Sequence, residues 1–209
     1  MANDPINLYD YEARAKLALP HDNWDFIDAG AMDEITTKRN RSAFDALSIR
    51  PRFMRSVEER KIATTMLGTD ISMPVFVCPA GSHGLAHPQA EVATARAAGR
   101  SNTLMMLSTA SNCSLEEVAE AATGPLWFQL YHRGKALTEM LVHRAEEAGF
   151  KAIVLTIDTP VPSPKERDLR TKFERVLDRV NSRALVFSRN EFSLSFITFC
   201  PSLRSSPFT

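Results

Sequence analysis

Only three cysteines occur in the 209 residues, Cys78, Cys113 and Cys200, and no two are spaced as CxxC. So sparse and odd a set points to reduced thiols in a cytoplasmic chain and argues against a disulfide scaffold. No metal site is expected. Charge of one sign is missing too: the formal net charge is zero and the pI is near 7.0. Nucleic-acid binding usually needs a basic face, so no nucleic-acid partner is expected. No apolar run approaches the roughly 20 residues of a membrane span. Met1-Ala2-Asn3-Asp4-Pro5 lacks the charged and apolar regions of a signal peptide. Low-complexity tracts are absent. What is left is a globular chain, 44% hydrophobic and 24% charged, long enough for one large domain or one and a half small ones.

What is there centres on two stretches, Trp127-Phe128-Gln129-Leu130-Tyr131 and Ile153-Val154-Leu155-Thr156-Ile157-Asp158-Thr159-Pro160. Each is an apolar run ending in polar groups. A near-continuous apolar run reads as a buried parallel strand, and α/β folds place their chemistry at the carboxyl ends of such strands. Gln129 and Tyr131 share one face of an extended strand, and Thr156 and Asp158 repeat the arrangement. One site assembled from several strand ends is the expectation.

The spacing predicts helices over Leu8 to Leu19, His21 to Ala31 and Asp33 to Leu47. In the second, Trp24, Ile27 and Phe26 fall on the apolar side; in the third, Ile35, Ala43, Phe44 and Leu47 are spaced to face inward. Ala63 to Leu67 and Thr69 to Ser72 suggest a small hairpin around Gly68. Then the pattern becomes regular. Pro74 to Ala80 reads as a buried strand, with Cys78 as a small apolar residue within it. Pro88 to Ala98 reads as a helix closed by Gly99, and Thr103 to Thr109 as a strand with Met105 and Met106 in the core. Ser114-Leu115-Glu116-Glu117 is a capping box for a helix to Ala122. The Trp127 strand, a helix from Lys135 to Ala148 ended by Gly149, and the Ile153 strand complete four strands and three helices. That alternation gives a parallel α/β sheet, open and doubly wound or rolled into a (β/α)8 barrel. Past Pro160 the regularity stops. Lys165 to Arg183 is amphipathic, and Leu185-Val186-Phe187 and Phe196-Ile197-Thr198-Phe199 are short apolar pieces among serines.

Asp28-Ala29-Gly30-Ala31, Asn40-Arg41-Ser42-Ala43-Phe44, Arg50-Pro51-Arg52, Pro79-Ala80-Gly81, Ala86-His87-Pro88 with Glu91, Leu107-Ser108-Thr109, Phe128-Gln129-Leu130-Tyr131, and Leu155 to Pro160 with Glu166-Arg167-Asp168 occur in a specific order and spacing. In these motifs the chain from about Tyr9 to Arg170 resembles the FMN-dependent 2-hydroxy-acid oxidases and dehydrogenases, such as glycolate oxidase, L-lactate oxidase and mandelate dehydrogenase. The resemblance covers the amino-terminal half of that family's domain, a (β/α)8 TIM barrel. It implies an incomplete barrel of about four βα units behind amino-terminal helices, with residues 1–170 as the family segment and 171–209 as a divergent tail. It also implies FMN as cofactor and a small 2-hydroxy acid as substrate, oxidised to the 2-oxo acid.

The resemblance implies roles by position. Pro79, Ala80 and Gly81 would lie beside the flavin ring near N5. Ser108, Gln129 and Thr156 would hydrogen-bond the pyrimidine end of the isoalloxazine. Tyr131 would touch the substrate near its hydroxyl, and Asp158 would support the family's catalytic histidine. The sequence departs from the pattern twice at the substrate. Phe26 stands where a tyrosine usually binds the carboxylate, and Lys165 stands where an arginine would pair with it through two parallel bonds. The family's histidine base, flavin-N1 lysine and phosphate loops belong to its second half. No histidine here follows His143, so weak or absent catalysis is expected of these 209 residues alone.

Blander readings stand beside these. Gln129 and Tyr131 also read as ordinary strand-end polar residues. Ser108 and Thr156 are common strand residues, and Asp158 before Thr159-Pro160 also reads as a turn former. His87 reads as serving the start of a helix, and Lys165 and Arg167 as a solvated helix face. Two non-enzymatic readings remain. One is a module that self-associates, or binds a full-length relative, through unpaired sheet edges. The other is a shifted reading frame after Arg170. A tail helix or strand covering one sheet edge is a further expectation.

Overall fold

The computed structural model describes residues 4–54, 56, 58–158 and 164–173. In chain order it holds α1 (Leu8–Ala18), α2 (His21–Asp28), α3 (Ile35–Asp45), β1 (Thr64–Met66), β2 (Thr69–Ile71), α4 (Ala90–Arg100), β3 (Met105–Ser108), α5 (Leu115–Ala121), β4 (Leu126–Tyr131), α6 (Lys135–Glu147), β5 (Ile153–Thr156) and α7 (Glu166–Thr171), with a 3-10 turn at His83–Leu85. These elements fall into two compact units, one holding α1 to α3 with α7, the other holding β1 to β5 with α4 to α6.

The sheet unit is built on β3, β4 and β5, parallel and in that order. Met105 pairs with Leu126 and Ser108 with Gln129, while Phe128 pairs with Ile153 and Tyr131 with Thr156. Side chains alternate across a strand, so the two faces sort by parity. Met105, Leu107, Phe128, Leu130 and Ile153 meet Ala95 and Ala98 of α4, Leu115 and Val118 of α5, and Leu141 and Ala145 of α6. Leu104, Met106 and Trp127 turn the other way and pack with Ile71, Ala152, Met66 and Phe76. There the antiparallel β1–β2 hairpin is fastened by the Trp127 indole, whose Nε1 donates to Thr69 Oγ1 at 3.1 Å. α5 starts in the expected capping box: Ser114 Oγ accepts from Glu117 N, and the Glu117 carboxylate accepts from Ser114 N at 2.8 Å.

The stretch from Pro74 to Ala80 is not a full strand. It is reduced to a single parallel bridge of Val77 with Met105, in which Val77 N donates to Leu104 O and Met106 N donates to Val77 O. The next rung needs the amide of residue 79, and Pro79 has none. On the near side, the Thr103 hydroxyl takes the Val75 carbonyl. Cys78 is exposed rather than buried. Gly99 lies inside α4 and does not cap it. A Cβ there would come 2.1 Å from Thr123 Oγ1 and 2.8 Å from Gly124 N, so close approach of the α5–β4 turn requires the glycine. Gly149 does follow its helix, at φ +84°.

The helical unit has little core. Neither α1, α2, α3 nor α7 buries a residue fully. Ile35, Ala43, Phe44 and Leu47, expected to face inward, are all exposed, Phe44 at 72%. Ile27 is exposed as well, while Trp24 and Phe26 are half-buried. What joins these helices is mostly charge and ring contact. The Arg41 guanidinium lies 3.7 Å from the Tyr9 ring centre, and Phe26 stacks on Phe173 at 5.0 Å. α7 stops at Thr171, with Lys172 left-handed at φ 53°. The predicted helix from residue 174 to Arg183 and the apolar pieces Leu185-Val186-Phe187 and Phe196-Ile197-Thr198-Phe199, where an edge-covering strand is expected, lie outside the described residues.

Candidate functional site

The three parallel strands end in one hydrogen-bonded polar chain. Ser108 Oγ donates to Gln129 Oε1 at 3.1 Å, and Gln129 Nε2 donates to Thr156 Oγ1 at 2.7 Å. Register explains it. Ser108 and Gln129 are ladder partners, and Thr156 sits two residues beyond Val154, the partner of Gln129. All three carry the parity of Met106, Trp127 and Val154, so they lie on the sheet face away from α4, α5 and α6. That face is apolar at the amino ends of the strands and polar at their carboxyl ends. Gln129 is 2% exposed and Ser108 5%; a buried amide has to be bonded, and this one is.

Thr109, not singled out as a site residue in the sequence, fixes the amide. Its N donates to Gln129 Oε1 at 3.1 Å, its hydroxyl donates to Gln129 O, and the same hydroxyl accepts from Tyr131 N at 3.2 Å. With Oε1 held by two donors, Nε2 must point toward Thr156. The only signal for Thr109 was its place beside Ser108. Tyr131 is half-buried, with the Arg133 guanidinium 5.8 Å from its ring centre. Asp158 is exposed just past β5, and Pro79 and Ala80 are exposed beside half-buried Gly81.

Phe26 and Lys165 belong to the helical unit, and the structure brings that pair together. Lys165 Nζ donates to Phe26 O at 2.9 Å and lies 4.7 Å from the Phe26 ring centre. A cation on a last-turn carbonyl stabilises the helix end. Arg167 is not a solvated helix-face residue. It pairs with Asp28 at 2.6 Å, Glu34 at 2.9 Å and Asp25 at 3.5 Å. Bonds to Asp28 and then Glu34 hold its guanidinium pKa above the usual arginine value. His87 does serve a helix start, its Nδ1 accepting from Gln89 N at 3.1 Å. Among the described residues no cluster of histidine, cysteine or carboxylate groups has metal-site geometry, and no helix is long and apolar enough to cross a membrane.

A parallel α/β unit with polar groups at adjacent strand ends fits a segment of a (β/α) barrel as it fits an open doubly wound sheet. Comparison with known proteins sharpens that class. The sequence model for "FMN-dependent dehydrogenase" matches residues 15–194, past the Arg170 boundary of the resemblance read from the sequence. The peroxisomal (S)-2-hydroxy-acid oxidase GLO4 of rice is 42% identical over 171 residues, 81% of this chain and 47% of the relative. The L-lactate oxidase of a Nostoc strain is 43% identical over 176 residues, 82% of this chain and 48% of the relative. A soluble mutant of the membrane-associated (S)-mandelate dehydrogenase from Pseudomonas putida superposes with a TM-score of 0.83 at 34% identity, covering 89% of this chain and 54% of that one. The chain belongs to the FMN-dependent dehydrogenase family, and it spans about half the length of the curated relatives it matches.

The residues present fit the ring of FMN. The pyrimidine edge of an isoalloxazine alternates carbonyl acceptors with an N–H donor. Ser108, Gln129 and Thr156 offer two hydroxyls and an amide in one row, the first two buried and Thr156 half-buried. Ser82, 3% exposed, has a hydroxyl with no hydrogen-bond partner among the described residues, next to the Pro79–Gly81 segment.

Proposed function

We propose that residues 1–170 are the flavin-ring half of an FMN-dependent oxidoreductase that converts an (S)-2-hydroxy acid of the lactate or glycolate type to the 2-oxo acid, with 171–209 as a divergent tail. The observation that carries the reading is the Ser108–Gln129–Thr156 chain across three neighbouring strand ends. FMN, when bound, supplies the two-electron acceptor. The chain's own residues hold and orient. Gln129 and its two hydroxyl neighbours bond the pyrimidine edge, and the Pro79–Ala80–Gly81 backbone borders the ring. Tyr131 meets the substrate hydroxyl, and Asp158 steadies the imidazolium of a histidine base. Lys165 takes the substrate carboxylate on the strength of the resemblance, and Phe26 borders the substrate without a donor of its own. With no histidine after His143, the 209 residues alone are expected to hold flavin without turnover. Cytoplasmic residence stays our reading; Cys78 and Cys113 form no disulfide among the described residues.

The test is a titration of the purified chain with FMN, followed by flavin absorbance and fluorescence. Saturable binding that Gln129→Leu weakens about tenfold or more supports the reading, since the leucine removes the acceptor of two hydrogen bonds and strands buried donors. Equal affinity of the two proteins would sink it. A second reading has its own observation. β5 pairs only with β4 among the described residues, and Ile157 just past it is 60% exposed. An open edge of this kind favours association. A module of that sort would bind no flavin and would gain mass on mixing with a full-length relative.

A further inference from the structure

Glu91 is the most deeply buried acid in the protein's described part, at 0% exposure, and the flavin reading gives it no role. It sits in the first turn of α4, with both oxygens turned away from its own helix. Oε1 accepts from His83 N at 3.1 Å, and Oε2 accepts from Asn112 N and Cys113 N, each at 3.1 Å. One carboxylate therefore ties two loops. The first, 81–85, runs straight on from Pro79–Ala80–Gly81. The second, 110–113, runs straight on from Ser108 and Thr109.

The same two loops touch at further rungs. Ser82 N donates to Ala110 O at 3.1 Å, and Gly84 N donates to Asn112 Oδ1 at 2.7 Å. A Cβ on Gly81 would lie 2.9 Å from Ala110 Cβ, and one on Gly84 2.9 Å from Asn112 Oδ1. Both glycines are thus required by the closeness of the loops, and Glu91 is the group that enforces it from beneath. Removing the carboxylate takes away the acceptor of three half-buried backbone amides.

We infer that Glu91 is a positioning residue: by clamping loop 81–85 to loop 110–113 it sets the spacing between the Pro79–Gly81 backbone and the Ser108–Gln129 polar row, and so the width of the slot for the flavin ring. This rests on the flavin reading above. Glu91→Gln is the informative variant. It keeps the shape but turns an NH2 group toward amide donors, so at least one of the three bonds is lost.

Two measurements on the full chain separate the possibilities. Amide exchange without flavin should show at least one of the His83, Asn112 and Cys113 amides losing about tenfold protection in E91Q, with β4 and β5 amides unchanged. FMN titration should then show affinity falling about tenfold, with a shifted visible spectrum for the flavin that does bind. A uniform loss of protection through the sheet would mean that Glu91 merely supports the fold, and would overturn the inference. So would a loosened clamp with unchanged affinity and spectrum. Failure of the wild-type chain to bind FMN at all would overturn the flavin reading and this inference with it. Binding by the wild type and by E91Q alike would overturn only the inference.

Discussion

The two units of this chain are held together by different physics. In the sheet unit, Leu104, Leu107, Leu115, Val118, Phe128 and Leu141 are all at 0% exposure, and three helices cover one face of three strands. In the helical unit no helix buries a residue, Leu8 and Leu17 are 81% and 88% exposed, and the strongest contacts converge on Arg167. The first unit has what an independent core needs: a continuous apolar layer and satisfied strand ladders. The second has caps, an aromatic stack and one cation among three carboxylates. Hydrophobic burial is the larger stabilising term in proteins and half-exposed ion pairs a small one, so the sheet unit is expected to unfold last. The two tryptophans of the sequence divide between the units, Trp24 in one and Trp127 in the other. Each unit carries its own fluorescent reporter.

The comparison breaks most directly at Phe128. Its ring is fully buried and meets Phe150 edge-on at 6.1 Å. Phe128→Ala should cost about 3–5 kcal/mol, seen as a large drop in the urea midpoint of Trp127 fluorescence in a Trp24→Phe background. A change under about 1 kcal/mol would mean that the core is not the anchor of this unit. Gly99→Ala should cost about 1–3 kcal/mol in the same assay, because the added methyl meets backbone at Gly124 N as well as a movable hydroxyl.

On the helical side, Arg167→Gln should cost about 1–2 kcal/mol, discounted for a side chain 32% exposed. It should move the Trp24 transition, read in a Trp127→Phe background, and leave the Trp127 transition in place. Equal shifts of both would erase the distinction between the units. The smallest effect is expected at Glu116. Arg144 donates to both of its oxygens at 2.8 Å, and that bonding holds its carboxyl below the usual carboxylate range. A lowered folded-state pKa stabilises the protein above the unfolded value and loses that contribution as pH falls through the folded one. Glu116→Gln should therefore cost under about 1 kcal/mol at pH 7, the pair being half-exposed, and nothing once the pH is below the carboxylate range. A difference between the two proteins that persists in acid would assign the effect to packing instead.

Much of the sheet unit was legible because its signals are local. The apolar runs at Met105 and Trp127, the Ser114 capping box and Gly149 each follow from residues within a few positions of one another. Gln129 and Thr156 stand out in the sequence as polar residues ending buried strands, and Ser108 entered through the family resemblance. Thr109 and Glu91 stood there only as members of family motifs, with no role attached. Local spacing alone reads Glu91 as a first-turn acid on a solvated helix; its three partners lie 8, 21 and 22 positions away. The inward face expected of α3 failed for the converse reason. Spacing shows which residues of a helix share a side, but not whether anything lies against that side.

By itself the sequence determined the alternation of strand and helix, the family, and the residues that end the strands. Periodicity, caps and motif order are all written over short distances. The tertiary structure alone decided that the run at Pro74 narrows to one bridge, where Pro79 has no amide for the next rung. It alone decided that Arg167 turns inward to carboxylates as far as 142 positions away, and that Gln129 presents its amide rather than its carbonyl oxygen along the row to Thr156. Each of these depends on which donors and acceptors arrive together once distant segments pack, and buried polar groups accept only arrangements in which each finds a partner.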